Sequence, residues 1–110
     1  MKTVTFTYQI VLEKKGYFVK CLDWDSVYSQ GESITECKKN AVEVTEMMLE
    51  ELINKTLHKM QYPKIKKHEA NLLQFQCTFD LSTGQYVEIE KIKHSLISTI
   101  KSVKDIAAAL

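Results

Sequence analysis

Three histidines, three cysteines and a short acidic run are the residues of this chain best equipped to bind or catalyse, and their spacing narrows what they can do. His58, His68 and His94 are scattered, and none stands four positions from another His, the spacing that a helical metal site uses. Cys21, Cys37 and Cys77 are odd in number, far apart and each set in an apolar pattern, so they read as small buried hydrophobes in a reducing compartment and not as a disulfide framework. There is no Cys-x-x-Cys pair, no Gly-rich phosphate loop and no nucleophile elbow. The expectation is a protein without catalytic residues, metal or cofactor.

Asp23, Trp24 and Asp25 form the most suggestive local cluster, with the sole Trp of the chain between two carboxylates. Exposed, that turn has the composition of an interface anchor aimed at a basic partner. Folded inward, Trp24 would lid the core and the Asp side chains would serve the turn. A second cluster is basic. Residues 55–68, KTLHKMQYPKIKKH, hold Lys55, Lys59, Lys64, Lys66 and Lys67 and no acid. It reads either as a patch for the phosphates of a nucleic acid or as a solvated connector around Pro63. Charge is unevenly divided: residues 1–54 carry six Lys against nine acids, and residues 55–110 nine against five. Every basic residue is Lys, which neutralises phosphate as a point charge but lacks the planar fork that reads guanine edges. That argues against sequence-specific DNA recognition.

The elements that must position these residues follow from hydrophobic period. At 110 residues, 45% hydrophobic and 26% charged, the chain has the size and composition of one soluble domain, with a core over residues 1–84 and a helical segment over 86–110. The alternating start, MKTVTFTYQIVLEKK, argues against a signal peptide, and no stretch is apolar enough to span a membrane. Thr3 to Glu13 predicts a strand with Val4, Phe6, Tyr8, Ile10 and Leu12 inward; Tyr17 to Leu22 predicts its return and Val27 to Gln30 a shorter third strand. Ser33 and Glu36 have capping-box spacing, opening a helix to about Asn54 with Ile34, Cys37, Ala41, Val44, Met48 and Leu52 on its buried face. Leu72 to Leu81 predicts a further strand, Ser82 to Gly84 a turn, and Ile89, Ile92, Leu96, Ile100 and Val103 a second helix. The expected order is β-β-β-α-β-α. A strand, helix and strand in one sheet normally form a parallel crossover, which predicts a mixed four-stranded sheet with both helices on one face, a two-layer α/β sandwich.

That order is also the first part of a ribonuclease H-like fold, whose nucleases clamp two metal ions with carboxylates from the first strand, the next helix and the fourth strand. The first strand here has no acid before Glu13, and Asp80 with a helix Glu such as Glu50 gives no such clamp. Gly16-Tyr17-Phe18-Val19, then Ser29-Gln30-Gly31-Glu32-Ser33-Ile34, Glu36 and Asn40-Ala41, are similar in order and spacing to the N-terminal domain of HicB-like antitoxins, over residues 5–55. The family's proline-rich turn is replaced by Leu22 to Ser26, and Cys37 stands where Ala is common. The resemblance implies a cytoplasmic, homo-oligomeric, degenerate ribonuclease H-like domain that binds a small basic HicA-like toxin and masks its mRNA-cleaving site. On charge, Asp23, Trp24, Asp25, Glu32 and Glu36 are the candidates for facing the toxin. The family commonly ends in a DNA-binding module. Residues 86–110 are too few for a full helix-turn-helix and show no ribbon-helix-helix pattern, which leaves RNA, through the lysine-rich segment, as the alternative ligand.

Overall fold

A computed structural model describes residues 2–87 of the chain. Five strands form one sheet: β1 (Thr3–Leu12), β2 (Tyr17–Cys21), β3 (Tyr28–Gly31), β4 (Gln74–Asp80) and β5 (Tyr86–Val87), in the order β3-β2-β1-β4-β5. One helix, α1 (Ile34–Ile53), covers one face, and a single 3-10 turn (Lys59–Gln61) interrupts the segment that follows it. The mixed α and β class stands. The expected helix from Ile89 to Val103, and with it the placing of two helices on one face, lies outside the described residues.

Strand alternation sets the core. Val4, Phe6, Tyr8 and Ile10 of β1, Val19 and Cys21 of β2, and Cys77 and Phe79 of β4 are buried beneath α1, while Leu12 runs past the layer and is exposed. The buried face of α1 is Cys37, Ala41, Thr45, Leu49 and Leu52. It is rotated from the expected stripe, so Ile34 is exposed and Val44 and Met48 are only partly buried. Thr45 explains the rotation. Its hydroxyl donates to the Ala41 carbonyl at 2.7 Å, so it accepts from the Tyr8 hydroxyl, also at 2.7 Å, and a polar residue is satisfied in the core.

Two expectations about the sheet are corrected. The sheet has five strands and not four, because Tyr86–Val87 pairs with β4 where a helical segment was expected to begin. It is also wholly antiparallel, because β4 runs against β1, with Thr3 opposite Asp80 and Gln9 opposite Gln74. The parallel crossover fails for a reason in the connector. The C-terminal end of α1 lies beside the β4–β5 turn, where Leu49 and Ile53 approach Gly84. A short link from there would start β4 parallel to β1. Instead residues 54–73 travel back, past Asp23 and Trp24, until the Leu73 carbonyl accepts from the Ile10 N–H at 2.8 Å. The strand therefore enters from the opposite end.

On the face away from α1, the Thr and Gln side chains of β1 and β4 bond to one another. Thr5 meets Thr78 at 2.8 Å, Gln76 donates to Thr7 at 3.2 Å, and Gln9 reaches both Gln74 and Asn71. Thr3, Thr7 and Thr78 are buried there.

Candidate binding surfaces

Of the two readings of the Asp-Trp-Asp turn, the inward one holds for Asp23 and Trp24, which are buried and not the exposed anchors that toxin binding would use. Trp24 is 2% exposed, tilts against Phe6 with ring centroids 5.6 Å apart, and donates its indole N–H to the Gln61 carbonyl at 2.6 Å. It is a lid on the core, held by a residue far along the chain.

Asp23, 3% exposed, is the knot of the fold. Its Oδ2 accepts from the Thr7 N–H at 2.8 Å, and its Oδ1 accepts from the Lys66 N–H at 2.9 Å and lies 2.7 Å from His68 Nε2. Its backbone carbonyl accepts from the Lys64 N–H at 2.7 Å. One side chain thus ties β1, the β2–β3 turn and the connector together. Among the described residues no hydroxyl or thiol bonds to His68, so none of them forms a nucleophile–His–carboxylate relay. No group of three or more potential metal ligands gathers among the described residues.

The expected surface acids that do lie outside are Asp25, Glu32 and Glu36. Glu32 and Glu36 sit at the start of α1, where the Ser33 half of the expected capping box forms and the Glu36 half shifts from the Ser33 N–H to that of Glu32. Ser33 accepts from the Glu36 N–H at 3.1 Å, and the Glu36 carboxylate reaches back to the Glu32 N–H at 3.4 Å. Beside them opens a polar groove of about 530 Å³, lined also by Glu13, Lys15, Tyr17, Ser29, Gln30, Gly31 and Asn40. Three carboxylates against one ammonium make it acidic. The backbone beside it requires two glycines: a Cβ on Gly16, at φ +92°, would stand 2.8 Å from the Gly31 carbonyl, and one on Gly31 would stand 2.9 Å from the Cys37 amide. Asn40 closes the joint by donating to the Gln30 carbonyl at 2.8 Å. The run from Gly16 to Asn40 is therefore a strand-to-helix joint, and the groove is its outer surface.

The side chains of Lys55, Lys59, Lys64, Lys66 and Lys67 are all exposed. Their backbone is less free than a solvated connector would be, because Asp23 holds the amides of Lys64 and Lys66. The basic patch is thereby presented on a fixed line.

All three thiols are buried and unpaired. Burial pushes Cys21 up to about 12 and Cys77 up to about 11, and raises Cys37 as well, the opposite of what a nucleophile needs.

Two residues that the sequence reading did not single out stand on the open face. The Phe18 and Tyr28 rings stack at 6.1 Å with 30° between planes. Strand alternation already turns Phe18 away from the core, and that was the available signal. Compared with protein-family models, with curated proteins and with solved structures, the chain has no significant match.

Proposed function

We propose that this chain is a binding domain of the HicB-like antitoxin type, which captures a small basic HicA-like toxin and blocks its mRNA-cleaving site by occlusion. The observation that carries the reading is the convergence of the signature residues. Tyr17, Gln30, Gly31, Glu32, Glu36 and Asn40 all line one acidic groove beside the edge strand β3, with Glu13 adding a third carboxylate. Charge of that sign steers and orients a basic partner. An edge strand also leaves backbone groups for a partner to pair with. The antitoxin acts here without bond chemistry, in the cytoplasm, as a homodimer or higher homo-oligomer.

Co-expression with the small basic product of a neighbouring reading frame should yield a co-purifying complex and relieve growth arrest. Glu13→Lys with Glu32→Lys should weaken that complex at least 10-fold while circular dichroism and Tm hold. No complex, or an unchanged affinity in the doubly reversed variant, would overturn the reading.

A second reading is favoured by the clasped connector: weak RNA binding through Lys55, Lys59, Lys64, Lys66 and Lys67. It requires affinity to fall steeply with salt as counterions are released. Salt-insensitive retention in a filter assay would sink it.

A further inference from the structure

On the face away from α1, the hydrogen-bonded Thr and Gln ladder of β1 and β4 ends at Gln9 and Gln74, and the half nearest β3 carries rings and a lysine instead. Register places Gln74, Gln9, Lys20 and Tyr28 in one row across β4, β1, β2 and β3, and Val11, Phe18 and Gln30 in the next. Within these rows Tyr28 is 58% and Val11 39% exposed, and Lys20 is exposed. The two rows hold no acid. Among the described residues the ion pair, His68 with Asp23, lies elsewhere, and no carboxylate of theirs pairs with Lys20.

The chemistry of this patch is specific. An exposed Tyr28 ring stacks on the half-buried Phe18 of the adjacent strand, flanked by amides that can donate and accept, with the Lys20 ammonium directly across from Tyr28. Single-stranded RNA is recognised by such a set: bases stack on aromatic rings, their edges and 2′-hydroxyls bond to amides, and phosphates seek lysines. The connector supplies more charge. It is tied to Asp23 through Lys66 and to Gln9 through Asn71, so the exposed Lys66 and Lys67 belong to a segment anchored to the sheet at both ends.

We propose that this half-face is a stacking platform for single-stranded RNA. Tyr28, backed by Phe18, takes a base, Gln30 meets base edges or ribose, and Lys20, Lys66 and Lys67 follow the backbone. The proposal rests on the RNA reading of the lysine segment and extends it from charge to a site.

Fluorescence anisotropy with a labelled single-stranded RNA oligonucleotide, on the full chain, tests it. Tyr28→Ala should weaken binding roughly 10-fold or more, Tyr28→Phe should retain it, and Lys20→Gln should weaken it and flatten the salt dependence. Tyr28 is exposed, so these variants should keep the wild-type Tm. If Tyr28→Ala binds as wild type while Lys66→Gln with Lys67→Gln binds weakly, the platform is wrong and the lysine reading survives. If the wild type binds no RNA, both fall. Equal affinity for the matching single-stranded DNA would overturn the choice of RNA. Dissociation of an oligomer by Tyr28→Ala, without any change in RNA affinity, would reassign the face to a second copy of the chain.

Discussion

At the scale of single residues, the carboxylate of Asp23 takes three donors from three parts of the chain: the Thr7 amide, the Lys66 amide and the His68 ring. Asp23→Ala strands two buried or part-buried amides and frees the connector, and should lower stability by about 3–5 kcal/mol in urea unfolding. Asp23→Asn should rescue little, because one of its two positions becomes an NH₂ that must face another donor. A near-wild-type Asn variant would mean that the clasp is weaker than its geometry. This role was not legible locally. An Asp-Trp-Asp turn looks the same whether it faces solvent or core, and what decides is a connector whose Lys66 lies 43 positions further on. The Tyr8–Thr45 pair makes a similar point. Thr45→Val leaves the Tyr8 hydroxyl buried without its acceptor and should cost about 1–3 kcal/mol. Adding Tyr8→Phe removes the stranded group, so the double variant should be more stable than Thr45→Val alone. Thermal melts of the four proteins decide it, and strict additivity would sink the pairing.

At the scale of elements, the strands and the start of the helix were legible because their signals are local. Period-2 alternation put Val4, Phe6, Tyr8 and Ile10 on one face, and Ser33 with Glu36 announced the cap. The direction of β4 was not, since it depends on the path of residues 54–73 and not on any pattern within the strand. The helix face was displaced for another reason: Thr45 reads as polar until its partner Tyr8 is known. The end of α1 supplies a prediction of its own. Asn54 is the cap, Lys55 follows in the left-handed region at φ 60°, and the Lys55 and Thr56 amides bond to the Leu52 and Glu51 carbonyls. That is a Schellman motif with a lysine where glycine belongs. A non-glycine residue there costs roughly 1–2 kcal/mol, partly offset by glycine's greater freedom when unfolded. Lys55→Gly should therefore stabilise the fold by roughly 0.5–1 kcal/mol and, on the RNA reading, weaken binding slightly. Guanidinium unfolding would expose an error if the glycine variant were less stable.

At the scale of the whole molecule, the Asp23 carboxylate is buried with its donors, while the acidic groove, the lysines of residues 55–67 and the Tyr28 ring lie on the outside and every thiol lies within. That division makes stability respond to alkali in a defined direction. A thiol with an ordinary value near 9.0 ionises in the unfolded chain before it does in the fold, where burial holds Cys77 at about 11 and Cys21 at about 12. The Tyr8 phenol is raised too, chiefly by burial and then by the neighbouring Cys21. Below pH 9 these groups are protonated in both states, and their contribution is whole. Above it the unfolded chain releases protons that the fold retains, so unfolding binds fewer protons and stability falls as pH rises. The loss continues until pH passes the folded values. Lysine deprotonation also begins in this range, so the informative comparison is between the wild type and Cys21→Ala with Cys77→Ala. The variant is less stable throughout, having lost packing, but its Tm should decline less steeply from pH 9 to pH 10.5. Parallel slopes would mean that those thiols reach solvent in the folded chain, and the layer that buries them would have to be redrawn.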